Sequence, residues 1–384
     1  MGANLNRRQR VAAIATACVA AGIVVAVIAL AGGGGGESDA GASTAAATTT
    51  TPVLEAGELE RLADGVILAG FDGSGSDADV VRDVADHPYG GVLVRRSNWD
   101  GEKEGAKLIA AIRKAGSRDG AKPPLIAVNQ EGGPYRALPD LPPKKREIEI
   151  GDNGDPKLAA KWMEESAKAL RGAGFDLDLA PVADVATLDS PIADRAFSDD
   201  PVVAAEMTAA AVKACEDTGI ACAPAHFPGL GGATQDTDAG PASVGLDAGT
   251  LATRDLIPFR AAFRADAPAV VVSSAFYTAY DPVTPASLTS AIATDLLRDD
   301  EKFEGAAISD DLASGAIRAV ATPADAAPEA LAAGIDLVQV GDPAVVGEVR
   351  KGIVDAVREG SLSEERLREA AGRVEALRKE LVGG

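Results

Sequence analysis

Short runs rich in Val, Ile, Leu and Ala recur between Leu59 and Gly341, and most are separated by segments with helical periodicity and glycine residues. This alternation is typical of parallel βαβ units. We predict eight strands, at residues 66–71, 91–95, 125–129, 175–179, 221–225, 269–273, 306–309 and 337–340. Eight parallel strands close a barrel, so the pattern predicts an α/β fold of the (β/α)8 TIM-barrel type, although the spacing is also compatible with a large open sheet.

Polar residues or Gly/Pro turns follow five of these runs. The segments are VNQEGG after the third strand, APVADV after the fourth, AHFPG after the fifth, SDD after the seventh and VGD after the eighth. In a parallel barrel the carboxyl ends of all strands meet at one face, where active sites are built. Ordinary loop-opening residues would explain any single segment, but they explain five less well. The sequence therefore predicts a functional site at this face.

The N-terminal part of the chain has a different character. Residues 11–31 (VAAIATACVAAGIVVAVIALA) carry no charge, and a helix of that length covers roughly 30 Å of hydrocarbon. Arginines in the preceding residues 1–10 predict a cytoplasmic N-terminus and a single-pass membrane anchor, with the rest of the chain outside. A cleaved signal peptide is the alternative, because the ALA sequence at 29–31 resembles a cleavage site, and the barrel would then be secreted.

The rest of the chain divides into a linker and one folded domain. Residues 32–55 are rich in Gly, Ala, Ser and Thr and are expected to form a flexible tether. Residues 56–384 form the predicted barrel domain, whose segment 361–381 places apolar residues at helical spacing. This segment opens with a capping-box pattern from Ser361 to Glu364, so we predict a closing helix.

Charge and composition restrict the partners of this chain. The net charge of −21 argues against binding to nucleic acid or to an anionic lipid surface, and favours a neutral ligand. With only His87 and His226 in the sequence, a His-rich zinc or iron site is nearly excluded, whereas an all-carboxylate Mg or Ca site is not. We expect no metal, no other cofactor and a monomer. Cys215 and Cys222 could form a disulfide outside the cytoplasm, or remain as two buried thiols.

Several motifs occur in an order that resembles glycoside hydrolase family 3. They are LIAVNQEGG, FDLDLAPVADV, IADRAF, HFPGLGGATQDTD, DLIPF, PASLT and AISDDL, and the resemblance covers residues 59–381. The sequence is most similar to single-domain bacterial β-N-acetylhexosaminidases. The resemblance implies a (β/α)8 barrel, a carbohydrate substrate and retaining hydrolysis, in which an aspartate attacks the anomeric carbon and a general acid protonates the leaving oxygen.

Three residues match functional positions of that family. Asp310 is the first aspartate of the SDD motif, which is the family nucleophile, although an isolated aspartate at a strand end is usually a helix cap. Arg195 matches an arginine that contacts the sugar; the alternative is a surface salt bridge with Asp194 or Asp199. His226 matches a histidine that hydrogen-bonds a substrate hydroxyl. The alternative is a core histidine whose hydrogen bonds are all made within the protein.

Four other family positions carry different residues. Asn129 replaces a sugar-binding aspartate, which removes a charge but keeps hydrogen-bonding capacity. Ala225 replaces a sugar-binding lysine and is expected to leave space at the rim of the site. Leu230 and Ala275 stand where the family has histidines. Weaker sugar binding would follow.

The loop that supplies the general acid also differs. The family sequence Asp-Ser-His is Asp236-Thr237-Asp238 in this chain, so the catalytic histidine is absent. Asp238 is a candidate acid, because the neighbouring charge of Asp236 would raise its pKa. Alternatively, both carboxylates are solvated charges on a mobile loop.

Two functions are compatible with this sequence. One is a retaining glycosidase that acts on N-acetylhexosamine-containing envelope or cell-wall glycans, with Asp310 as nucleophile and Asp238 as substitute acid. The other is a catalytically impaired barrel that binds glycans or acts as a scaffold in the cell envelope.

Overall fold

A computed structural model of the chain describes residues 56–118 and 121–382. The predicted cytoplasmic segment 1–10, the apolar stretch 11–31 and the linker 32–55 lie outside the described residues. Within the part that is described, none of the helices combines the length and apolar character needed to cross a membrane.

All eight predicted strand positions carry a strand in the described part of the chain. The barrel strands are β1 Ile67–Gly70, β2 Gly91–Val94, β3 Leu125–Val128, β4 Leu177–Asp178, β5 Ala221–Cys222, β6 Ala269–Val272, β7 Ala306–Ser309 and β8 Val338–Val340. Most are shorter than predicted, because the regular ladder gives way to turns where the polar and proline-containing segments begin.

The strand ladders close the sheet into a barrel. The order β8-β1-β2-β3-β4-β5 is continuous, and β6 pairs with β7, every pairing being parallel. Single parallel bridges complete the ring, Phe227 to Val272 between the ends of β5 and β6, and Ile308 to Leu337 between β7 and β8. The (β/α)8 prediction is therefore confirmed over the open-sheet alternative.

Helices surround the strands on the outside. The described helices of four residues or more are α1 Ala56–Gly65, α2 Val80–Asp86, α3 Glu102–Gly116, α4 Glu147–Gly151, α5 Pro156–Ala173, α6 Pro201–Thr218, α7 Leu256–Arg264, α8 Gly315–Arg318, α9 Pro323–Ala333, α10 Val346–Glu359 and α11 Glu364–Val382. Two π-helical segments, Leu251–Asp255 and Ala291–Asp300, precede α7 and β7. Three short strands lie outside the barrel, at Ser243–Val244, Phe276–Tyr277 and Asp281–Pro285.

Local sequence signals explain where the two longest crossover helices begin and end. Asp155 caps α5 by accepting a hydrogen bond from the Lys157 N–H at 3.0 Å, and Asp200 caps α6 in the same way. Proline occupies the first turn of both helices, where its missing N–H costs nothing. Gly174 and Gly219 end them at φ 97° and 73°, a left-handed conformation that favours glycine.

The C-terminal helix α11 covers the amino ends of the strands. The closing helix predicted at 361–381 is therefore confirmed. Its Val374 and Leu377 pack with the leucines and alanines that fill the barrel interior. Arg378 Nη2 donates to the carbonyl oxygens of Tyr89 at 3.2 Å and Gly90 at 3.1 Å, directly before β2. With this end covered, ligands must enter from the carboxyl ends of the strands.

The two cysteines of the barrel are joined. Cys215 in α6 and Cys222 in β5 form a disulfide with Cα atoms 6.0 Å apart. Of the two alternatives left open by the sequence, the structure has the disulfide, which ties the end of a crossover helix to the strand that follows it.

Asp336 lies two residues before β8 and is a fully buried carboxylate that contacts three cationic side chains at this closed end. It accepts hydrogen bonds from Arg298 Nη2 at 2.6 Å, Arg366 Nη2 at 2.7 Å and Arg373 Nη1 at 3.3 Å. The Ala307 N–H of β7 also donates to it at 3.0 Å. One carboxylate therefore links β7 and β8 to helix α11.

Replacing Asp336 by Asn should lower the free energy of unfolding by about 3–5 kcal/mol, because the substitution leaves three partly buried guanidinium groups without their buried counter-charge. Urea unfolding followed by circular dichroism measures the change. The control is Glu58→Gln, which breaks the exposed Glu58–Arg368 pair and should cost less than about 1 kcal/mol. Equal effects of the two substitutions would contradict the role assigned to Asp336.

Candidate active site

The six residues predicted from the sequence to act in catalysis or sugar binding line one cavity of about 280 Å³ at the carboxyl ends of the strands. They are Asn129, Arg195, His226, Asp236, Asp238 and Asp310. Arg95, Arg96, Asp311 and Gln339 also contribute to its wall. No group of three or more His, Cys, Asp or Glu side chains within the described ranges is arranged to hold a metal ion.

Arg195 is fixed by a carboxylate from a neighbouring loop. Its Nε and Nη2 atoms donate to both carboxylate oxygens of Glu131, at 2.7 and 2.8 Å, and Glu131 is only 3% exposed. Burial alone would lower the pKa of Arg195, but the charge of Glu131 and its hydrogen bonds raise it above the ordinary value. The alternative partner Asp194 pairs with Arg146 at 2.6 Å instead. Arg195 is thus a preorganised cation and not a surface salt-bridge residue.

His226 is held by a second buried carboxylate. Asp184 Oδ2 lies 2.8 Å from His226 Nδ1, and Asp184 Oδ1 accepts the backbone N–H groups of His226 and Leu230 at 3.2 and 2.6 Å. With Nδ1 donating to Asp184, the neutral ring can accept the Arg195 Nη2 donor at Nε2, 3.3 Å away. Burial alone would lower the pKa of His226, but the Asp184 charge raises it to about 8.

Asp310 follows β7, and both of its carboxylate oxygens have partners. Oδ1 accepts the Asp311 N–H at 2.9 Å, and Oδ2 accepts the Thr237 hydroxyl at 3.3 Å. Burial raises the pKa of Asp310, while the proximity of His226 opposes that rise. The carboxylate therefore has a defined orientation at the base of the cavity.

The loop that carries Asp236 and Asp238 is attached to the segment that follows β7. The carbonyl of Thr237 accepts the Ala316 N–H at 3.0 Å, and the carbonyl of Asp238 accepts the Gly315 N–H at 3.2 Å. The Asp238 side chain reaches the mouth of the cavity and remains exposed. Partial burial by the cavity wall raises the pKa of Asp238, and the charge of Asp236 raises it further.

The altered family positions fall into two groups. Asn129 lies on the cavity wall, whereas Ala225, Leu230 and Ala275 are buried and do not line it. The expectation that Ala225 leaves space at the rim is wrong, because its side chain packs with the apolar residues of the barrel interior. Its neighbour His226 lines the cavity instead.

Two supporting carboxylates, Glu131 and Asp184, were not identified from the sequence. Both lie inside motifs that were noted, VNQEGG and APVADV, at positions where loop acids are common. They could have been found by asking which carboxylates neutralise Arg195 and His226, because a charged side chain removed from water needs a counter-charge.

Two further carboxyl groups are buried near Glu131. Burial raises the pKa of Asp178 to about 7, although its Oδ1 accepts the Gln130 N–H at 3.0 Å. Glu147 is fully buried, which raises its pKa well above the ordinary value. One oxygen of each has no hydrogen-bond partner in the described part of the chain. When protonated they add no negative charge beside the Glu131–Arg195 pair.

Comparison with known proteins assigns this barrel to a family. The family model described as the glycosyl hydrolase family 3 N-terminal domain matches residues 15–377. The chain belongs to glycoside hydrolase family 3. This membership confirms the resemblance seen in the ordered motifs.

Similar proteins include hexosaminidases. A beta-hexosaminidase of Xylella fastidiosa is 32% identical over 294 residues, which covers 74% of this chain and 85% of the relative. A solved family 3 beta-N-acetylglucosaminidase from a Paenibacillus species matches with TM-score 0.80 and 26% identity, over 84% of this chain but only 62% of that protein. A beta-N-acetylhexosaminidase from Beutenbergia cavernae matches with TM-score 0.72 and 26% identity, over 83% of this chain and 98% of that one.

Replacing Asp184 by Asn should lower the pKa of His226 from about 8 to below its ordinary 6.5, because burial is then no longer opposed by a negative charge. Nuclear magnetic resonance titration of the imidazole signals measures this directly, and His87 provides an internal control. An unchanged titration midpoint of His226 would show that Asp184 does not set the pKa of this histidine.

The same pair predicts how stability depends on pH. Because the pKa of folded His226 is raised, its stabilising contribution is fully present below about pH 6.5 and is lost as the pH rises through about 8. Urea unfolding at a series of pH values measures this loss in the unmodified protein. In the Asp184→Asn variant the free energy of unfolding should show no such decline between pH 6.5 and 8.

Proposed function

We propose that this family 3 barrel is a retaining glycosidase that removes N-acetylhexosamine residues from glycans. The observation that supports it is the hydrogen bond from the Thr237 hydroxyl to Asp310, because it joins the acid loop to the nucleophile position around one cavity. Asp310 and Asp238 then lie on the wall of the same cavity as the sugar-binding candidates. Two carboxyl groups flanking a sugar are what retaining hydrolysis needs.

In the first step, an oxygen of ionised Asp310 forms a bond to the anomeric carbon while the bond from that carbon to the leaving oxygen breaks. Asp238, whose pKa is raised, donates its proton to the leaving oxygen. In the second step Asp238 takes a proton from water, the water oxygen attacks the anomeric carbon, and the Asp310 ester bond breaks.

Sugar binding is assigned to the donors and acceptors that remain on the cavity wall. Arg195 offers a hydroxyl or amide oxygen the N–H that its contacts with Glu131, His226 and Asp236 leave free, and its preorganisation reduces the entropy lost on binding. His226 and Asn129 supply further hydrogen-bonding groups. The N-acetylhexosamine preference is carried over from the hexosaminidases to which the chain is similar.

We further place the barrel outside the cytoplasm, acting on envelope or cell-wall glycans. The disulfide between Cys215 and Cys222 supports this placement, since structural disulfides persist in oxidising compartments. The uncharged residues 11–31 would then anchor the protein, or be removed as a signal peptide before secretion.

Incubation with a 5-fluoro N-acetylglucosaminyl fluoride should give a covalent adduct on Asp310, as its carboxylate displaces fluoride and the electron-withdrawing fluorine slows hydrolysis of the intermediate. Peptide mass spectrometry locates the adduct, and Asp310→Ala should abolish it. If no adduct forms but N-acetylglucosamine still raises the melting temperature, the barrel is a glycan-binding module and not a glycosidase.

Asp238→Asn should lower kcat/KM for chitobiose, a poor leaving group, by about 100-fold or more. The loss for a dinitrophenyl N-acetylglucosaminide should be less than about tenfold, because that leaving group departs without protonation. The decline of chitobiose hydrolysis at high pH, where Asp238 ionises, should disappear in the variant. Equal losses for both substrates would exclude Asp238 as the acid.

A further inference from the structure

The wall of the catalytic cavity is divided by charge. Its carboxylates come from the loop after β5 and from the segment after β7, and they belong to Asp236, Asp238, Asp310 and Asp311. On another side, Arg95 and Arg96 directly follow β2 and contribute two guanidinium groups. In the ring of eight strands, β2 and β3 are three and four positions away from β7. The two arginines therefore lie across the cavity from Asp310.

Arg96 carries a charge that the protein leaves unneutralised. Its side chain is exposed, and its Nη1 donates to the carbonyl oxygen of Arg136 at 3.3 Å. It forms no ion pair with any residue of the described ranges. Arg136 is a second cation of this kind, because its guanidinium donates only to the carbonyl oxygens of Gly133, Pro139 and Leu141. The loops after β2 and β3 thus carry positive charge that no described carboxylate pairs with.

Arg95 is held in place but is only weakly paired. Its Nη2 donates to the Phe71 carbonyl at 2.7 Å and lies 3.5 Å from the highly exposed Asp72 carboxylate. An ion pair with so exposed a partner contributes little in water. The Nε atom of Arg95 is buried and has no partner within the described part of the chain. This guanidinium can therefore still interact with an anionic ligand.

Asn129 stands beside these arginines, where the family motif has an aspartate. Val94 of β2 and Val128 of β3 are paired in register, so Arg95 and Asn129 follow at neighbouring strand ends. The exposed side-chain amide of Asn129 lines the cavity and has no hydrogen-bond partner among the described residues. An aspartate here would repel an anion, whereas the amide NH2 can donate to one. The replacement therefore makes this side of the wall more favourable for a negative group.

The expectation of a neutral ligand was based on the net charge of the whole chain, which does not decide a local site. At physiological ionic strength, exposed charges further apart than about 8 Å are largely screened. Within the cavity, Arg95 lowers the pKa of Asp311, although burial has the larger and opposite effect. Asp311 Oδ1 also accepts the N–H groups of Ala313 at 2.8 Å and Gly341 at 3.0 Å. The Asp311 charge thus does not depend on Arg95 alone.

We propose that Arg95, Arg96 and Asn129 bind an anionic group on the sugar that is cleaved, so that the preferred substrate is an acidic N-acetylhexosamine. The anomeric carbon must lie beside Asp310, so the anionic group is attached to the part of the ring remote from that carbon. A carboxylate fits best, because its two oxygens match the geometry of a guanidinium group. This inference rests on the proposed glycosidase function and names its substrate class.

The experiment compares three 4-nitrophenyl glycosides with the full chain: the N-acetylglucosaminide, its 6-carboxylate, and its 3-O-lactyl ether, the N-acetylmuraminide. Because the leaving group is the same, differences in kcat/KM report on the sugar. At least one acidic substrate should exceed the neutral one about tenfold or more. This preference should decline as salt is added. The acidic substrate that is preferred shows whether the carboxylate is carried at carbon 6 or at carbon 3.

Two substitutions test the assigned residues. Arg96→Gln should lower the ratio of acidic to neutral kcat/KM about tenfold, and Arg96→Lys should lower it less, because the charge is kept but the planar donor fork is lost. Asn129→Asp should reverse the preference, since the new carboxylate repels the anionic group. The matched control is Arg61→Gln, which changes an exposed arginine of α1 outside the cavity wall and should leave the ratio unchanged.

The outcomes separate the inference from the proposed function. If both acidic substrates are cleaved no better than the neutral one, the inference is wrong while the glycosidase function stands. The inference also fails if an acidic substrate is preferred but neither Arg96→Gln nor Asn129→Asp changes the ratio, because another group then binds the anion. Hydrolysis of none of the three substrates would refute the proposed function, and the inference with it.

Discussion

A guanidinium group that is removed from water is costly unless a carboxylate meets it with good geometry, and Arg195 is such a group. Glu131, from the loop after β3, meets it with two hydrogen bonds. The same arginine contacts His226, which in turn is held by Asp184 from the loop after β4. A row of hydrogen-bonded ionisable groups, with a carboxylate at each end, thus connects the loops after β3, β4 and β5. Removing either carboxylate would leave its partner buried without compensation.

This row also affects the acid loop. Arg195 Nη1 lies 3.4 Å from Asp236 Oδ2, and Asp236 Oδ1 accepts the Asp238 N–H at 3.0 Å. The charge of Asp236 raises the pKa of Asp238, whereas Arg195 and His226 lower it. The group assigned to sugar binding therefore moderates the proton affinity of the group assigned to acid catalysis.

The sequence predicts the barrel well and the supporting contacts of the site poorly. Strand positions follow from runs of apolar residues, which are a local signal. The predicted strand ends are wrong where proline and polar residues interrupt the hydrogen-bond ladder. Glu131 and Arg195 are 64 positions apart, so no local pattern identifies them as partners. Ala225 shows the same limit: a motif assigns it to the sugar site, but only the direction of its side chain shows that it faces the barrel interior.

The residues that differ from the family motifs are distributed unevenly, and this supports the proposed glycosidase over a scaffold. The apolar residues among them, Ala225, Leu230 and Ala275, are buried, whereas those on the cavity wall, Asn129 and Asp238, are polar. In the proposed mechanism Asp238 supplies the ionisable group of the acid loop. Retaining hydrolysis can proceed with two carboxyl groups, so the chemistry is compatible with an aspartate in place of the family histidine.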